Sequence, residues 1–252
     1  MNDIHNLPSS NPFSSASTLP FQAPPFDKIS EADYKPALEE GIEQQQREME
    51  AIEGNSSAPT FENTFIALEK SGELLNRVNN VFNVVTGANT NDTLQKLQEE
   101  IAPKLAANHD AIYLNEKLFK RVEAIYNDRA KLNLDEESNK LVEYYYQQFV
   151  IAGAKLSDAD KEQLKKLNAE EATLSAKFSN QLVNAAKAGT LIITDSSMLA
   201  GLPQADKNAF AQNAKEKNAD NSWLMPLQNT TKKPALQYLN NRDTKDKLLD
   251  AT

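Results

Sequence analysis

Apolar residues recur every three or four positions along most of the chain, which is the spacing of an amphipathic α-helix. Six such patterns follow one another between polar breaks, and their helices are predicted to begin near residues 30, 60, 91, 115, 135 and 157. Ser30 and Asp33 form a capping pair at the first helix, because their side chains can satisfy its free amides. The second helix is predicted to end at Gly87, and Pro103 should bend or divide the third.

The sixth pattern is predicted to form the longest helix. Ser157 and Asp160 make the clearest capping box in the chain, and Gly189 ends the pattern. The apolar positions of this helix follow a helical spacing. These positions are Leu164, Leu167, Leu174, Phe178 and Leu182.

The spacing changes to that of a β-strand at 190–194, a short run rich in β-branched residues. A second extended run lies at 223–228, and the two are predicted to pair as a small sheet with Pro226 at an edge or bulge. Further helices are predicted after residue 203 and at 232–240 and 243–251. The fold class is therefore mainly α: a multi-helix lobe with a small β element.

The first 28 residues differ from the rest of the chain, because five prolines without a helical period predict an extended segment. Four spaced apolar residues indicate that this segment lies across a folded surface: Phe13, Leu19, Phe21 and Phe26. The predicted organisation is an extended segment at 1–28 packed on the lobe, a helical domain at 29–188, and an α+β segment at 189–252.

The sequence stops within a helical pattern at 248–252, without a glycine or proline terminator and without a polar tail. A frayed terminal helix is one interpretation, since chain ends are commonly poorly ordered. The other interpretation is that the chain is a fragment of a longer protein. Both are open at this point.

Composition excludes several classes of protein. The 252 residues contain no cysteine, which rules out disulfides, cysteine-bound zinc and thiol catalysis. The net charge is −9, from 27 Lys and Arg against 36 Asp and Glu, so neither nucleic acid nor an anionic lipid surface is an expected partner. No apolar run approaches the ~20 residues of a membrane span, and no secretory signal is visible. A cytoplasmic location is expected.

Histidine is scarce, which limits metal chemistry. His5 and His109 lie far apart, whereas a His-Glu-x-x-His motif places two imidazoles four residues apart on one helical face. Glu99 and Glu100 are about 14 Å from His109 along a helix, which is too far for a shared metal ion. His109 is therefore expected to be partly exposed or in polar contact. No catalytic or metal-ligating residue is assigned.

Carboxylates cluster at four places, where paired acids can do acid/base work if their pKa values differ. On the helices of an acidic protein, such clusters are usually solvated or complement the helix dipole. That interpretation is preferred for all four clusters. They lie at 69–73, 99–100, 135–137 and 170–171.

Three further features invite a binding role. Residues 144–146 are consecutive tyrosines that point about 100° apart on a helix, so Tyr145 fits the core stripe with its neighbours flanking it. Packing is preferred there over ligand stacking, whereas Trp223 suits an interface or packing equally. Residues 229–231 can aim amides and hydroxyls at a peptide backbone, but capping of the helix at 232–240 is preferred.

Several segments, taken in order and spacing, resemble the thimet-oligopeptidase-like zinc metallopeptidases. They lie at 11–13, 19–21, 25–29, 34–41, 61–64 and 67–72. Segments that resemble the peptidyl-dipeptidase branch of that family lie at 71–75, 89–92, 149–156, 227–231 and 234–236. Each segment is weak alone, but together they cover nearly the whole chain from about residue 11.

The resemblance implies a largely helical enzyme with two lobes around a deep channel and zinc in its C-terminal lobe. In that family the zinc ligands are the two histidines of His-Glu-x-x-His and a downstream glutamate, and the motif's glutamate activates water. None of these positions is in this sequence. Zinc is therefore expected in the parent enzyme and not in this chain. The expected partners are short peptides and the C-terminal catalytic region of the same polypeptide.

Two functions are open. In the first, the chain is the N-terminal, non-catalytic region of a zinc metallopeptidase that removes dipeptides from the C-terminus of short peptides, and it forms part of the channel wall. In the second, it is a free-standing helical protein that binds a peptide or partner without hydrolysis. Only a lobe separated from a larger enzyme is expected to expose an apolar patch of several hundred Å². Substrate-binding residues and sequence preference are not assigned.

Overall fold

The computed structural model describes residues 7–251, apart from the side chain of Lys187. It is mainly helical, with one small antiparallel sheet, as the sequence predicts. The helices are α1 (Glu31–Glu53), α2 (Ala67–Glu69), α3 (Glu73–Ala88), α4 (Asp92–Tyr113), α5 (Glu116–Asp128), α6 (Glu136–Ala152), α7 (Asp158–Ala188), α8 (Gln204–Glu216), α9 (Asn229–Tyr238) and α10 (Arg242–Asp250). The strands are β1 (Thr190–Ile193) and β2 (Trp223–Pro226).

Side-chain caps fix where several helices begin. The amide and hydroxyl of Ser30 donate to Asp33 Oδ2 at 2.8 and 2.6 Å, which confirms the predicted capping pair of α1. Before α5, Asn115 Oδ1 accepts the amide of Leu118 at 3.0 Å. Similar caps precede α4, α6 and α10 at Asn91, Asp135 and Asn241. The sequence locates these starts because a short polar side chain satisfies amides that the first turn leaves free.

The prediction of one continuous second helix is wrong, because the structure divides this region into several elements. A π turn (Glu62–Ile66) leads into α2, and the chain then turns before α3. Gly72 lies at this turn with φ +70°, a left-handed conformation that an α-helix cannot continue through. A Cβ at Gly72 would also crowd the side-chain amide of Gln45 on α1. The turn therefore depends on glycine for its backbone conformation, while the end of the Gln45 side chain can move.

Two other boundaries refine the prediction. α4 continues through Pro103, so proline does not divide the third helix. The fourth helix ends as an α-helix at Asp128 and continues as one 3-10 turn (Arg129–Lys131). In both places the apolar spacing correctly predicts a helix. It does not predict how the backbone hydrogen bonds continue at the helix end or around a proline.

The chain forms two compact units, Met1–Ala176 and Lys177–Thr252. In the first unit, one core cluster joins α1, α3 and α4, and Gly41 lets α1 approach α3 so closely that a Cβ there would be 2.8 Å from Leu75 Cα. A second cluster surrounds the fully buried side chains of Phe65, Leu118 and Phe149.

The second unit contains the small sheet. β1 and β2 pair antiparallel, with Thr190 opposite Pro226 and Ile193 opposite Trp223. Pro226 is thus at the end of the pairing, as predicted, where its missing amide interrupts no ladder. Met225 is fully buried in a cluster with residues of α8, α9 and α10, and Trp223 packs against that cluster.

The N-terminal segment packs on the helices of the first unit at Leu7, Asn11 and Phe13, which are all buried. Phe13 is buried, its ring lies 5.6 Å from that of Tyr34, and its carbonyl accepts from Arg77 at 3.0 Å. Leu19, Phe21 and Phe26 are exposed. Of the four apolar residues that suggest a segment lying across a folded surface, only Phe13 is therefore buried. The segment is also not extended throughout, because it contains 3-10 turns at Pro20–Gln22 and Phe26–Lys28.

α7 is the longest helix, as predicted, and it spans 31 residues. Its predicted cap forms, since the amide of Asp160 donates to Ser157 Oγ at 3.2 Å and that hydroxyl donates to Asp160 Oδ2 at 2.6 Å. Most of its apolar positions are nevertheless exposed among the described residues. The exposed members are Leu167 and Leu174 in the first unit and Phe178 and Leu182 in the second.

Candidate functional site

A pocket of about 410 Å³ lies among α1, α2, α3, α4 and α6 of the first unit, and we call it the Asn108 pocket. Its apolar walls are formed by Met49, Leu68, Leu75, Leu105 and Ile112. Its polar and aromatic lining includes Gln45, Glu69, Asn79, Asn108, His109, Tyr113 and Tyr145. The pocket therefore combines apolar surface with a few polar groups, as small-ligand sites commonly do.

The spacing of α4 explains why Asn108 faces this pocket. Leu105, Asn108 and Ile112 are three and four residues apart, so they lie on one side of the helix. The other side chains of that stripe, such as Leu97 and Ile101, are buried in the core. Asn108 is thus an amide at a position where the helical pattern calls for an apolar residue.

Asn108 is 4% exposed, and only half of its amide is satisfied. Its Nδ2 donates to Gln45 Oε1 at 2.7 Å, but its Oδ1 has no partner among the described residues. Asn79 Oδ1 is also buried without a partner in that part of the chain. A buried acceptor left unsatisfied costs about 1–3 kcal/mol, so two such oxygens at one pocket are an exception that calls for an explanation.

Tyr145 and Glu69 form a hydrogen-bonded pair at the same pocket. The Tyr145 hydroxyl donates to Glu69 Oε1 at 2.6 Å, and the Tyr145 ring meets that of Phe65 edge-on at 5.7 Å. Burial, followed by the hydrogen bond to Glu69, raises the pKa of Tyr145 well above its ordinary value. The hydroxyl therefore remains a donor at neutral pH and holds the Glu69 carboxylate in place.

His109 and Tyr113 provide a pair of rings at this pocket. Their centroids are 4.5 Å apart and their planes are inclined by 31°. The His109 side chain is 59% exposed, which confirms the expectation of a partly exposed histidine. Burial, followed by the nearby Tyr144 and Glu69, raises the pKa of Tyr113.

The described residues do not fit the zinc site that the resemblance implies. Within residues 7–251, no group of three His, Cys, Asp or Glu side chains lies close enough to hold a metal ion. Glu100 forms ion pairs with Lys35 at 2.5 Å and with Lys104 at 3.5 Å. Its carboxylate is thus engaged by two lysines rather than by His109. His5 lies outside the described residues. That this chain binds no zinc stays a prediction.

The carboxylate clusters do not all behave as expected. Asp135 caps α6 by accepting the amide of Ser138 at 2.7 Å, and hydrogen bonds from Ser138 lower the pKa of Asp135. This agrees with a first-turn role. Glu69 differs, because it is exposed yet lines the Asn108 pocket and accepts from Tyr145. The hydrogen bond between Glu69 and Tyr145 joins α2 to α6, and the sequence of neither helix predicts it.

The tyrosines of α6 pack largely as predicted. Tyr146 stacks on Tyr126 with centroids 3.7 Å apart, while Tyr144 is 52% exposed. Tyr145 packs with the core and also lines the pocket. Tyr145 therefore both packs in the core and lines the candidate site.

The predicted cap at 229–231 is wrong. Asn229 is the first residue of α9, and Gln228 precedes it in an extended conformation. The three residues form the first turn of the helix, whose backbone begins earlier than the apolar spacing indicates. The amide of Thr231 donates to the carbonyl of Gln228 at 3.0 Å.

Sequence reasoning missed Asn108, Gln45 and Asn79, although it singled out two of their neighbours, His109 and Tyr145. A signal for Asn108 was available, since it is a polar residue inside an apolar stripe of α4. Such a residue is either satisfied by another helix or open to a ligand, and the sequence alone does not distinguish the two. Gln45 and Asn79 carry no comparable local signal.

No helix in the described part of the chain is long and apolar enough to cross a membrane. The fold and its pocket define a mainly α-helical protein with a polar recess between helices. No protein-family model matches the chain. Its identity has to come from individual relatives.

Those relatives are peptidases. The chain is 48% identical over 241 residues to dipeptidyl carboxypeptidase of Escherichia coli (strain K12), which covers 96% of this chain and 35% of the relative. It is 47% identical over 244 residues to the Salmonella typhimurium protein of the same name, covering 97% of the chain and 36% of the relative. The chain is thus a homologue of the dipeptidyl carboxypeptidases and spans about a third of their length.

A more distant relative is the organellar oligopeptidase A, chloroplastic/mitochondrial, of Arabidopsis thaliana. It is 26% identical over 237 residues, which cover 92% of this chain and 30% of the relative. Similarity to both groups over nearly the whole chain confirms the resemblance to this peptidase family.

Proposed function

We propose that the chain is the N-terminal, non-catalytic region of a cytoplasmic zinc metallopeptidase that removes dipeptides from the C-terminus of short peptides. The observation that carries this proposal is the 48% identity to a dipeptidyl carboxypeptidase over 96% of the chain. Since 35% of that relative is covered, the remaining length is available to supply zinc and catalysis. The role of this chain is then to form part of the channel wall and restrict access to short, unfolded peptides.

Exposed apolar side chains support the idea that more of the polypeptide packs on this chain. In the first unit, Ile151 is 78% exposed, Leu167 53% and Leu174 57%. In the second unit, Phe178 is 61% exposed and Leu182 55%. Scattered apolar residues such as Ile151 of α6 are ordinary on a surface, but the other four lie on α7 at helical spacing, which is typical of an interaction face. Its proposed occupant is the catalytic region of the same polypeptide.

Activity and metal content test the non-catalytic role. The purified 252-residue chain, incubated with zinc and dialysed, is expected to retain less than one equivalent and to release no dipeptide from a blocked tripeptide. The reason is that the residues described here offer no zinc-ligand set. A full-length dipeptidyl carboxypeptidase assayed in parallel serves as the positive control. Dipeptide release by the chain alone, abolished by a chelator, contradicts the proposal.

A free-standing binding protein is the second candidate, and the Asn108 pocket favours it, because buried unsatisfied acceptors suit a ligand. An antibody raised against the chain separates the two candidates in extracts of the source cells. A band far above 28.0 kDa supports the enzyme region. A single band at 28.0 kDa supports the free-standing protein and contradicts the first proposal.

A further inference from the structure

We infer that the Asn108 pocket binds a guanidinium group, presented by an arginine side chain or by a small guanidino compound. The inference concerns this chain alone, and it holds whichever of the two proposed functions is correct. It rests on the unsatisfied acceptors, the charge and the aromatic lining of the pocket.

Two buried acceptor oxygens of the pocket residues lack donors among the described residues. Asn108 Oδ1 and Asn79 Oδ1 are both buried without a partner among the described residues, and both residues line the pocket. Asn108 cannot turn away, since its Nδ2 is engaged with Gln45 Oε1 at 2.7 Å. An occupant that satisfies these oxygens must bring N–H or O–H donors.

The charge of the pocket favours a cation. Glu69 contributes a carboxylate to the pocket, and none of the described lining residues is Lys or Arg. The carboxylate is oriented by the Tyr145 hydroxyl through one oxygen, Oε1. A cationic donor therefore gains a charge-assisted hydrogen bond here, whereas an anion is repelled.

The acceptor residues of the pocket come from three different elements. Asn79, Asn108 and Glu69 lie on α3, α4 and α2, and all three line the pocket. A guanidinium has five N–H donors in a plane and stacks on aromatic faces such as those of His109 and Tyr113. An ammonium is a compact point charge with three donors, and it is less suited to acceptors spread over three helices.

The apolar walls fit the rest of such a ligand. Met49, Leu68 and Leu105 can pack against the methylene stem that carries the guanidinium. The volume of about 410 Å³ is in the range of small-ligand pockets. Neutral or acidic side chains do not combine donors, positive charge and an apolar stem in this way.

His109 provides a reporter for the test, because the sequence contains two histidines and one of them lines the pocket. The ligand is Nα-acetyl-arginine methylamide, titrated into the 252-residue chain while the imidazole proton signal of His109 is followed by NMR. A His109→Gln variant assigns the signal. A saturable shift in the millimolar range is expected, and the citrulline analogue, which keeps the shape but lacks the charge, should bind about tenfold more weakly.

Variants locate the binding. Glu69→Gln keeps the size of the side chain but removes its charge, and it should weaken arginine binding about tenfold. Glu62→Gln, an exposed change outside the pocket, is the matched control and should leave binding unchanged. The dispersion of the NMR spectrum shows whether each variant is folded. A second pocket variant, Tyr145→Phe, should also weaken binding, since it releases Glu69 from its position.

Several outcomes overturn the inference. They are the absence of a saturable shift, equal binding of the arginine and citrulline analogues, equal or tighter binding of the lysine analogue, and binding insensitive to Glu69→Gln. Agmatine and a blocked tripeptide with a central arginine distinguish a small guanidino compound from a peptide side chain, and binding of either supports the site. Because no peptidase activity is measured, failure of this test and failure of the proposed enzyme role are separate results.

Discussion

α5 and α7 follow the same apolar spacing in the sequence, but the structure uses their apolar faces differently. In α5, Leu118, Val122 and Ile125 are at most 2% exposed and lie in a core cluster. In α7, Leu174 and Phe178 are 57% and 61% exposed. Helical spacing therefore identifies a helix and its apolar side, but it contains no information about what covers that side.

Buried polar groups near these helices show that a missing partner does not by itself mark a site. Arg121 of α5 is 7% exposed, and it donates to Asn55 O at 2.9 Å, Ser57 O at 3.3 Å and Asn63 Oδ1 at 2.7 Å. Its two terminal nitrogens are thus held by the chain itself, while its Nε is buried without a partner among the described residues. Asn108 is also buried and also keeps one polar atom unsatisfied. What distinguishes Asn108 is its place in the lining of a pocket, beside Glu69 and a second unsatisfied acceptor residue, Asn79.

The largest expected effect on the free energy of unfolding comes from replacing one leucine in α5, compared with one leucine in α7. Leu118→Ala should lower the free energy of unfolding by about 3 kcal/mol, because it leaves a cavity at a fully buried position. Leu174→Ala should change it by less than about 0.5 kcal/mol, since that side chain is already in contact with water. Both substitutions replace leucine by alanine within a helix, so helix propensity contributes similarly. Urea unfolding followed by circular dichroism measures both.

Equal losses at Leu118 and Leu174 would contradict the comparison. A large loss at Leu174 alone would mean that the face of α7 is covered in solution, for example by a second copy of the chain. Repeating the measurement at two protein concentrations tests this, because stability gained by association depends on concentration.

Most of the fold was predictable because its signals are local. The capping pairs Ser30 with Asp33 and Ser157 with Asp160 both form, and the two extended runs do pair. The failures occurred where a distant contact decides the local structure. Gly72 interrupts the second helix at a turn that packs on Gln45 of α1, and no local pattern shows that contact.

Only single residues of the candidate site could be predicted from the sequence. His109 and Tyr145 were singled out for their chemistry, but they lie on α4 and α6 and meet only when the helices pack. Asn108 was overlooked because asparagine is not a typical catalytic or metal-binding residue. Its importance follows from burial and a missing partner, which are properties of the structure.

An intermediate loss of stability is expected when the side-chain cap of α5 is removed. Asn115→Ala should lower the free energy of unfolding by about 1 kcal/mol, because Asn115 Oδ1 accepts the amides of Lys117 and Leu118. Asn127→Ala is the matched control, since Asn127 is exposed near the other end of the same helix and alanine is the better helix former. A loss at Asn127 as large as that at Asn115 would refute the capping argument.

The smallest expected change in stability tests the role of the exposed face of α7. Leu174→Lys should leave the free energy of unfolding within about 0.5 kcal/mol, because the side chain is exposed and a lysine there follows Glu170 by four residues. It should nevertheless reduce the fluorescence of a dye that binds exposed apolar surface. Gln163→Lys adds the same charge on α7 without removing an apolar group, and it should leave dye binding unchanged. Equal dye fluorescence in the wild type and both variants would show that this face is not an accessible apolar surface. The proposed docking of a catalytic region would then lose its structural support, even though the similarity to dipeptidyl carboxypeptidases would still stand.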